Sequence, residues 1–441
     1  MNFTQPQHQL SLIRPLLITN ARLIDPESGL DQIGGILCVE GSIADFGAHM
    51  NLDNAPEFVQ HIDAKGQVLC PGLLDIQVHL REPGFEHKET IATATKSAAA
   101  GGVTTVVGMA NTSPAVDSVE VLRFIQQRAL EGAYVNVEHY AAITKNLQGE
   151  SLTDMAMLAE AGAVGFSDDG KPVMNSLTMR RAMEYASSLG VVIAQHAEDL
   201  HLSNGGCINE GRISAQLGVP GIPNASEAVI VARDLLLLEL TGGHYHVLHI
   251  STHQAIEAVR RAKAQGLNVT CEAAPHHFVL TEDAVLQQGT LAKMNPPLRV
   301  EKDLLAVIEG LRDGTIDVIA TDHAPHDSDT KTVPLQEASF GIVGLETMLP
   351  FGLTLYHAGH ISLPKVLAAM TYKAADVIHR PKLGRLKKGL PADLTIIDLE
   401  HVWQINAEAL FSKSKNMPFA GQKLKGCATH TIVKGQVVFS R

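Results

Sequence analysis

The chain has 441 residues, of which 45% are hydrophobic, 19% are charged and 4% are aromatic. This length permits one large barrel with additions, or two to three domains. The formal net charge of −12 argues against a nucleic-acid or anionic-membrane partner, because both need a basic protein surface. No apolar run approaches the roughly 18 residues of a membrane span.

The first residues, MNFTQPQHQL, lack the basic start and apolar run of a signal peptide. Five widely spaced cysteines form no Cys-x-x-Cys pair, which argues against a disulfide framework or a zinc knuckle. We therefore expect a cytoplasmic protein with reduced thiols.

The two ends of the chain share one pattern. Residues 15–69 alternate Val, Ile and Leu with polar residues and have Gly, Asp or Asn at the reversals, and residues 392–441 repeat this style. Such alternation predicts short antiparallel strands. We expect residues 1–69 and 381–441 to combine in one small β-sandwich domain.

The middle of the chain, residues 70–380, has a different rhythm. Eight strand-like apolar runs alternate with helix-length segments, for example residues 89–102 and 151–162. Repeated βα units with continuously apolar strands favour a closed (β/α)8 barrel, since strands buried on both faces need not alternate. An open doubly wound sheet is the alternative, but no G-x-G-x-x-G turn follows the first strand.

Polar side chains capable of catalysis or metal binding follow six of these runs. In a barrel the carboxyl ends of the strands meet on one face, where active sites of this fold lie. A lone histidine is usually structural, but equivalent positions in successive units favour a shared metal site. The residues are Gln77, His79 and Arg81, then Asn111, Asp168, Asp169, His196, His249, Asp322, His323 and His326.

These residue types suit metal-assisted hydrolysis of an amide. Zinc accepts imidazole nitrogen and carboxylate oxygen, and a bridging aspartate can hold two ions. Asp322, after the last strand, could both bind metal and shuttle a proton to a leaving nitrogen. The planar fork of Arg81 suits a substrate carboxylate.

At these residues the sequence resembles class I dihydroorotases of the amidohydrolase superfamily, and the resemblance covers nearly the whole chain. The motifs occur in the family's order, which makes the resemblance far more specific than one short pattern. They are PGLLDIQVHLREPGFEHKET, AAAGGVTTVVGMANTSPAVDS, VGFSDDGKPVM, QHAED, INEGRISAQLG, LHIST, KMNPPLR, ATDHAPH, GRLKKGLPADLTIIDL and KSKNMPFAG.

The resemblance implies zinc-dependent, reversible ring closure of N-carbamoyl-L-aspartate to dihydroorotate, a step of pyrimidine synthesis. It implies that His79 and Asp322 bind a first zinc ion and that His196 and His249 bind a second. Asp169 would bridge the two ions, a role that a carboxylated lysine has in relatives.

The resemblance also assigns the substrate contacts. Arg81, Asn111 and His326 would bind the substrate carboxylate, Asn295 would contact the ring, and Asp322 would be the general acid/base. A homodimer is expected by the same resemblance.

The sequence departs from the family pattern at one ligand. The family's first-strand motif is His-x-His, and here Gln77 takes the place of the first histidine. An amide oxygen is a weaker zinc ligand than imidazole, so the first-metal site loses a strong ligand while the second stays whole.

Three interpretations follow from this departure. The chain is an active dihydroorotase with one tightly held zinc ion, or two with one loose. Alternatively it is a catalytically silent homologue that serves as a structural partner of aspartate transcarbamoylase, or a cyclic-amide hydrolase acting on a hydantoin or allantoin. Retention of Arg81, Asn111, Asp322 and His326 favours the first interpretation.

Overall fold

In a computed structural model, which describes residues 1–6 and 14–441, the chain forms an α/β structure. The described strands are β1 (Asn2–Phe3), β2 (Leu16–Asp25), β3 (Leu30–Val39), β4 (Ser42–Gly47), β5 (Gln60–Asp63), β6 (Val68–Pro71), β7 (Leu73–Val78), β8 (Val103–Gly108), β9 (Asn136–His139), β10 (Gly165–Phe166), β11 (Val192–Gln195), β12 (Ile208–Asn209), β13 (Gly221–Ile222), β14 (His244–Val247), β15 (Val269–Ala273), β16 (Val318–Ile319), β17 (Leu394–Gln404), β18 (Lys423–Val433) and β19 (Gln436–Ser440).

The described helices fall mainly between these strands. They are α1 (Ile91–Ala100), α2 (Val119–Gly132), α3 (Met155–Glu160), α4 (Ser176–Leu189), α5 (Leu200–Ser203), α6 (Arg212–Leu217), α7 (Asn224–Thr241), α8 (His253–Ala264), α9 (Pro275–Val279), α10 (Ala284–Gln288), α11 (Glu301–Asp313), α12 (Met348–His357), α13 (Leu363–Ala369) and α14 (Tyr372–Val377). Short 3₁₀ turns cover Leu52–Asn54, Lys145–Leu147, Gly289–Ala292 and Ala407–Ala409.

Both chain ends contribute strands to one nine-stranded sheet. Its order is β1-β19-β18-β17-β6-β2-β3-β4, with β5 paired to β2. Apolar side chains from the two ends share one core, because alternate residues of each strand point to the same face. Its members include Leu16, Ile18, Leu23, Ile36, Leu394, Ile396 and Ile432.

The first of the eight strand-like runs predicted from sequence covers residues 68–80 and is divided between two sheets. Strand β6 pairs antiparallel with β17 in the sheet of the chain ends, whereas β7 pairs parallel with β8. The chain passes from one sheet to the other at Gly72, where an added Cβ would lie 2.1 Å from Thr104 Oγ1. Only glycine fits this close approach. The apolar run 68–80 therefore contains two strands, which separate at Gly72.

Parallel strands form two larger sheets, with the orders β7-β8-β9 and β10-β11-β14-β15-β16, and a separate pair, β12-β13. Parallel bridges Ala141↔Phe166 and Val78↔His323 join the ends of the two sheets. Every residue of β7, β8 and β11 is buried, as expected for strands covered on both faces. Their carboxyl ends point toward one side of the molecule.

The two helices predicted from sequence are present but shorter. Thr90 begins α1 by accepting a hydrogen bond from Thr93 N, and Asp154 begins α3 by accepting one from Met157 N. Side-chain acceptors satisfy backbone N–H groups that have no partner inside the helix. Within residues 1–6 and 14–441, no helix combines the length and apolarity needed to cross a membrane.

Two buried carboxylates fix the loops that follow strands β14 and β16. Glu227 on α7 accepts hydrogen bonds from Ser251 N (3.1 Å) and from Thr252 N (2.9 Å) and Oγ1 (2.7 Å). Asp75 on β7 accepts from Thr321 N (3.0 Å) and from the Thr321 hydroxyl. Each carboxylate therefore sets the backbone beside a strand end.

We expect Glu227→Ala to lower the free energy of unfolding by about 3 kcal/mol, because it leaves several buried donors without an acceptor. Urea unfolding of the purified protein measures this change. Glu239→Ala is the matched control, since Glu239 is exposed on the same helix, and its effect should stay within about 0.5 kcal/mol. Equal effects of the two substitutions would contradict a supporting role for Glu227.

Candidate metal centre and anion pocket

A cavity of about 350 Å³ opens at the carboxyl ends of the parallel strands. Nine of the residues predicted as ligands or substrate contacts line it together, although they are distant along the chain. They are His79, Arg81, Asn111, Asp169, His196, His249, Asn295, Asp322 and His326. Gln77 is fully buried and lies behind this wall, next to Asp169.

One group of potential metal ligands consists of Asp169, His196 and His249. His196 Nδ1 lies 3.0 Å from His249 Nε2, and each of these nitrogens lies 3.5 Å from Asp169 Oδ1. A four-coordinate ion with bonds of about 2.1 Å has ligand atoms about 3.4 Å apart. The three side chains therefore fit one tetrahedral ion without rearrangement.

A second group consists of His79, Asp169 and Asp322. His79 Nε2 lies 2.9 Å from Asp322 Oδ1 and 3.4 Å from Asp169 Oδ2. Asp169 thus offers one oxygen to each group. The two groups together could hold two ions that share this carboxylate.

Gln77 lies beside the second group of ligands and contacts its shared carboxylate. Its Nε2 donates to Asp169 Oδ2 (3.2 Å), the oxygen that faces His79. Its Oε1 is buried and has no hydrogen-bond partner among the described residues. A buried carbonyl oxygen without a donor is costly, and a cation beside it would supply the missing partner.

The charges around Asp169 favour a cation at the first group. Burial opposes ionisation of Asp169, but hydrogen bonds from His196 and His249 outweigh it and hold the pKa well below its usual value. Burial likewise opposes charge on His196, yet Asp169 and Glu198 raise its pKa to about 10. The two carboxylates therefore demand positive charge at His196, which a proton or a metal ion can supply.

Three of the residues that line the cavity have strained backbone conformations. Arg81, His249 and Asp322 adopt φ values of 63°, 33° and 49°. This left-handed conformation is costly for residues other than glycine, and it persists where the surroundings enforce it. Asp75 holds Thr321, the residue before Asp322, and Glu227 holds Ser251 and Thr252, which follow His249 by two and three residues. These contacts support the backbone near two of the three positions.

Two cations, Arg81 and Lys88, flank His326 at the cavity. Arg81 donates from Nε to Pro325 O (3.2 Å), and its Nη2 lies 3.3 Å from His326 Nε2. Lys88 Nζ lies 3.4 Å from His326 Nδ1. Burial and these two cations lower the pKa of His326 to about 2. A neutral imidazole has only one acceptor nitrogen, so it can satisfy only one of these two donors. An anion could accept a hydrogen bond from the other donor.

Two buried lysines add to this positive charge. Lys331 Nζ donates to the carbonyls of Thr290 (3.1 Å) and Lys293 (3.2 Å). Lys293 Nζ donates to those of Leu335 (2.8 Å) and Gln336 (3.0 Å) and lies 4.4 Å from the ring centre of Phe340. Among the residues that the structure describes, neither lysine, Arg81 nor Lys88 has a carboxylate partner. Burial lowers the pKa of Arg81 to about 10 and that of Lys331 to about 7, while Asp169, Asp322 and Glu89 act on Arg81 from beyond ion-pair distance. Cations therefore lie near the cavity together with its carboxylates.

Two predicted strand-end residues do not face the cavity. Asp168 accepts hydrogen bonds from Ile143 N (2.8 Å) and Thr144 N (3.0 Å), which tie the end of β10 to the loop after β9. His323 accepts from Gly344 N (3.1 Å) and contacts Glu89 at 3.3 Å. Both side chains support the scaffold.

Sequence reasoning missed several residues of the site. Glu198, two residues after His196, lies 2.9 Å from its Nε2, and the QHAED motif was the only signal for it. Ser339 and Phe340 line the cavity from a loop well beyond the last strand. No strand-end rule identifies such loop residues.

Comparisons with known proteins show the family to which the chain belongs. A family model described as "Dihydro-orotase-like" matches residues 66–255, and one described as "Amidohydrolase family" matches residues 243–439. A curated dihydroorotase of Wolbachia sp. subsp. Drosophila simulans (strain wRi) is 58% identical over 96% of this chain and 95% of its own length. A dihydroorotase of Geobacter sp. (strain M21) is 49% identical over 96% of this chain and 99% of its own length.

Solved structures with a similar fold include hydantoinases and dihydropyrimidinases. L-hydantoinase (dihydropyrimidinase) from Arthrobacter aurescens has a TM-score of 0.88 and 26% identity, and covers 97% of this chain and 96% of its own. Dihydropyrimidinase from Brevibacillus agri NCHU1002, at 20% identity, has the same fold with a TM-score of 0.85 over 97% of this chain and 95% of its own. Families of this kind are typically metal-dependent, which agrees with the two ligand groups. The chain belongs to the dihydroorotase family of amidohydrolases and is a cyclic-amide hydrolase.

Proposed function

We propose that this chain is a zinc-dependent dihydroorotase that interconverts N-carbamoyl-L-aspartate and dihydroorotate. The observation that supports this assignment is a cluster of two cations, Arg81 and Lys88, on His326 beside a ligand group with tetrahedral spacing. N-carbamoyl-L-aspartate carries two carboxylates and dihydroorotate carries one. An acidic protein binds such anions only where local cations override its global charge.

We assign the zinc ligands by the two groups in the cavity. Asp169, His196 and His249 hold one ion, and His79 and Asp322 with Asp169 form the weaker position. Zinc supplies Lewis acidity toward the amide carbonyl and lowers the pKa of water. The donor set of imidazoles and carboxylates is the one that zinc prefers.

The protein residues bind the substrate and move the proton. Arg81, Asn111 and His326 bind the carboxylate that survives ring closure, and Asn295 contacts the ring. In hydrolysis, the water oxygen bonds to the amide carbon, the ring C–N bond breaks, and Asp322 transfers a proton from water to the leaving nitrogen. Ring closure runs through the reverse steps.

Gln77 occupies the position where the family has the first histidine of His-x-His. With glutamine at this position, one strong metal ligand is missing, and the Gln77 amide donates a hydrogen bond to Asp169 Oδ2, which would otherwise be free for a metal ion. We propose that one zinc ion is held tightly, at Asp169, His196 and His249, and that a second binds loosely or not at all.

Two other functions are less well supported. A hydantoin or allantoin hydrolase does not need the unpaired cations Arg81 and Lys88, because hydantoins need not carry a carboxylate. A silent structural partner of aspartate transcarbamoylase is favoured by Gln77 alone, and it does not need the retained acid/base Asp322. A homodimer is the assembly that we propose by resemblance.

The finer architecture is also a proposal. We propose that the two parallel sheets close into a (β/α)8 barrel within residues 70–380, supported by the bridges at Val78 and Ala141. Residues 1–69 and 381–441 would form the β-sandwich domain. Its first boundary would lie slightly later, after Pro71, because β6 (Val68–Pro71) belongs to the sheet of the chain ends.

The direct test is a turnover assay with dihydroorotate, with and without added zinc, using hydantoin and allantoin as competing substrates. We expect turnover of dihydroorotate that a chelator removes and zinc restores. Turnover of hydantoin alone would contradict the proposal. No turnover, together with normal complex formation between Asp322→Ala and aspartate transcarbamoylase, would favour the structural role.

Adjacent aspartates provide a matched test of the tight metal site. We expect the wild-type chain to retain about one zinc ion after mild dialysis. Asp168→Asn should retain the same amount, because among the described residues its side chain hydrogen-bonds to Ile143 and Thr144 and not to a metal ligand. Asp169→Asn should retain almost none, since it removes the charge shared by both ligand groups. Metal analysis by mass spectrometry measures all three, and equal retention in the two variants would contradict the assignment.

Substituting Gln77 tests the weaker position. We expect Gln77→His to raise zinc content toward two ions per chain and to raise turnover, because imidazole is the stronger ligand. Gln77→Leu, which removes the amide without adding a ligand, should leave zinc content at the wild-type value. An unchanged zinc content and turnover in Gln77→His would mean that residue 77 is not a ligand position.

A further inference from the structure

Glu198 contacts both the proposed metal ligand His196 and the proposed substrate contact Asn295 through one oxygen atom. Its Oε2 lies 2.9 Å from His196 Nε2 and accepts a hydrogen bond from Asn295 Nδ2 at 2.9 Å. The Glu198 side chain is 11% exposed, and Ser203 also hydrogen-bonds to its carboxylate. The carboxylate is therefore held in place while it contacts a proposed metal ligand and a proposed substrate contact.

The contact with His196 determines which ring nitrogen is free to bind metal. When Nε2 donates its proton to Glu198, the lone pair of the neutral ring is on Nδ1, which faces Asp169 and His249. A carboxylate partner of this kind fixes the tautomer and orientation of a metal-binding histidine and makes it more basic.

The contact with Asn295 determines which amide atoms are free to bind a ligand. Asn295 Nδ2 donates to Glu198 and lies farther, at 3.5 Å, from His196 Nε2, and among the described residues its Oδ1 has no hydrogen-bond partner. Asn295 is half-buried and lines the cavity beside Met294. Its orientation at the cavity wall therefore depends on Glu198.

We propose that Glu198 is a positioning residue that orients His196 for the metal and Asn295 for the substrate at the same time. The inference rests on the proposed zinc site and on dihydroorotate as the ligand. It goes further, because it assigns the two orientations to one carboxylate that touches neither the metal position nor the reacting atoms.

The proposal is tested with Glu198→Ala, Glu198→Gln and Asn295→Ala in the full-length protein. Zinc affinity is measured by chelator competition, dihydroorotate affinity of the zinc-loaded protein by calorimetry, and thermal stability by the melting temperature of the metal-free protein. Asn295→Ala is the control that removes one arm of the contact only.

We expect Glu198→Ala to weaken zinc binding by about 10- to 100-fold and dihydroorotate binding by about 3- to 10-fold, the value of one hydrogen bond. Asn295→Ala should weaken dihydroorotate binding to a similar degree and leave zinc affinity within about twofold. Glu198→Gln keeps an acceptor oxygen but loses the charge, so it should restore dihydroorotate binding and only part of the zinc affinity.

Unchanged zinc affinity in Glu198→Ala, or an equal loss of zinc affinity in Asn295→Ala, would overturn the proposal. A lower melting temperature with both affinities unchanged would mean that Glu198 is only structural. If the wild-type protein binds no dihydroorotate, the proposed substrate is wrong, and the zinc measurements still decide whether Glu198 acts on the metal site.

Discussion

The carboxylate of Asp169 is the group on which the whole site depends. It is buried, ionised and within 3.5 Å of three imidazoles, with one oxygen toward His196 and His249 and the other toward His79. A buried anion is stable only when cations or donors surround it. The histidines must therefore converge on this carboxylate, and their convergence creates the two metal-ligand groups.

The scaffold keeps this arrangement through buried carboxylates that never enter the cavity. Asp75, Asp168 and Glu227 each accept backbone N–H groups next to a strand end, so the loops carrying Asp322, Asp169 and His249 have fixed paths. His249 and Asp322 adopt left-handed backbone conformations, which these contacts stabilise. Burial raises the pKa of Asp75 to about 7 and that of Asp168 to about 6. The left-handed backbone and the buried carboxyl groups are both unfavourable for stability, and both hold the site residues in position, as is common for functional loops.

The ligand positions could be predicted from sequence because they follow apolar strands, and parallel strands bring such positions to one edge. His79, His196 and His249 are of this kind. The pattern could not tell Asp168 from Asp169, because the two neighbours point in opposite directions and only the backbone path of the SDDG turn decides which one faces the cavity. It also read residues 68–80 as one strand, since the close contact at Gly72 depends on Thr104, which lies far along the chain. Lys293 and Lys331 lie on loops, and their ammonium groups bind backbone carbonyls, which residue type does not reveal.

Charge and metal-ligand geometry together set the chemistry of the pocket. Arg81 lines the same cavity as the carboxylate–imidazole groups, an arrangement that supports the proposed binding and hydrolysis of an anionic cyclic amide. The most direct test of this account is anomalous diffraction at the zinc edge from crystals of the zinc-loaded protein. The account predicts a strong peak bounded by Asp169, His196 and His249, and a weak peak or none between His79 and Asp322. A strong peak only at His79 and Asp322, or no peak at either position, would contradict it.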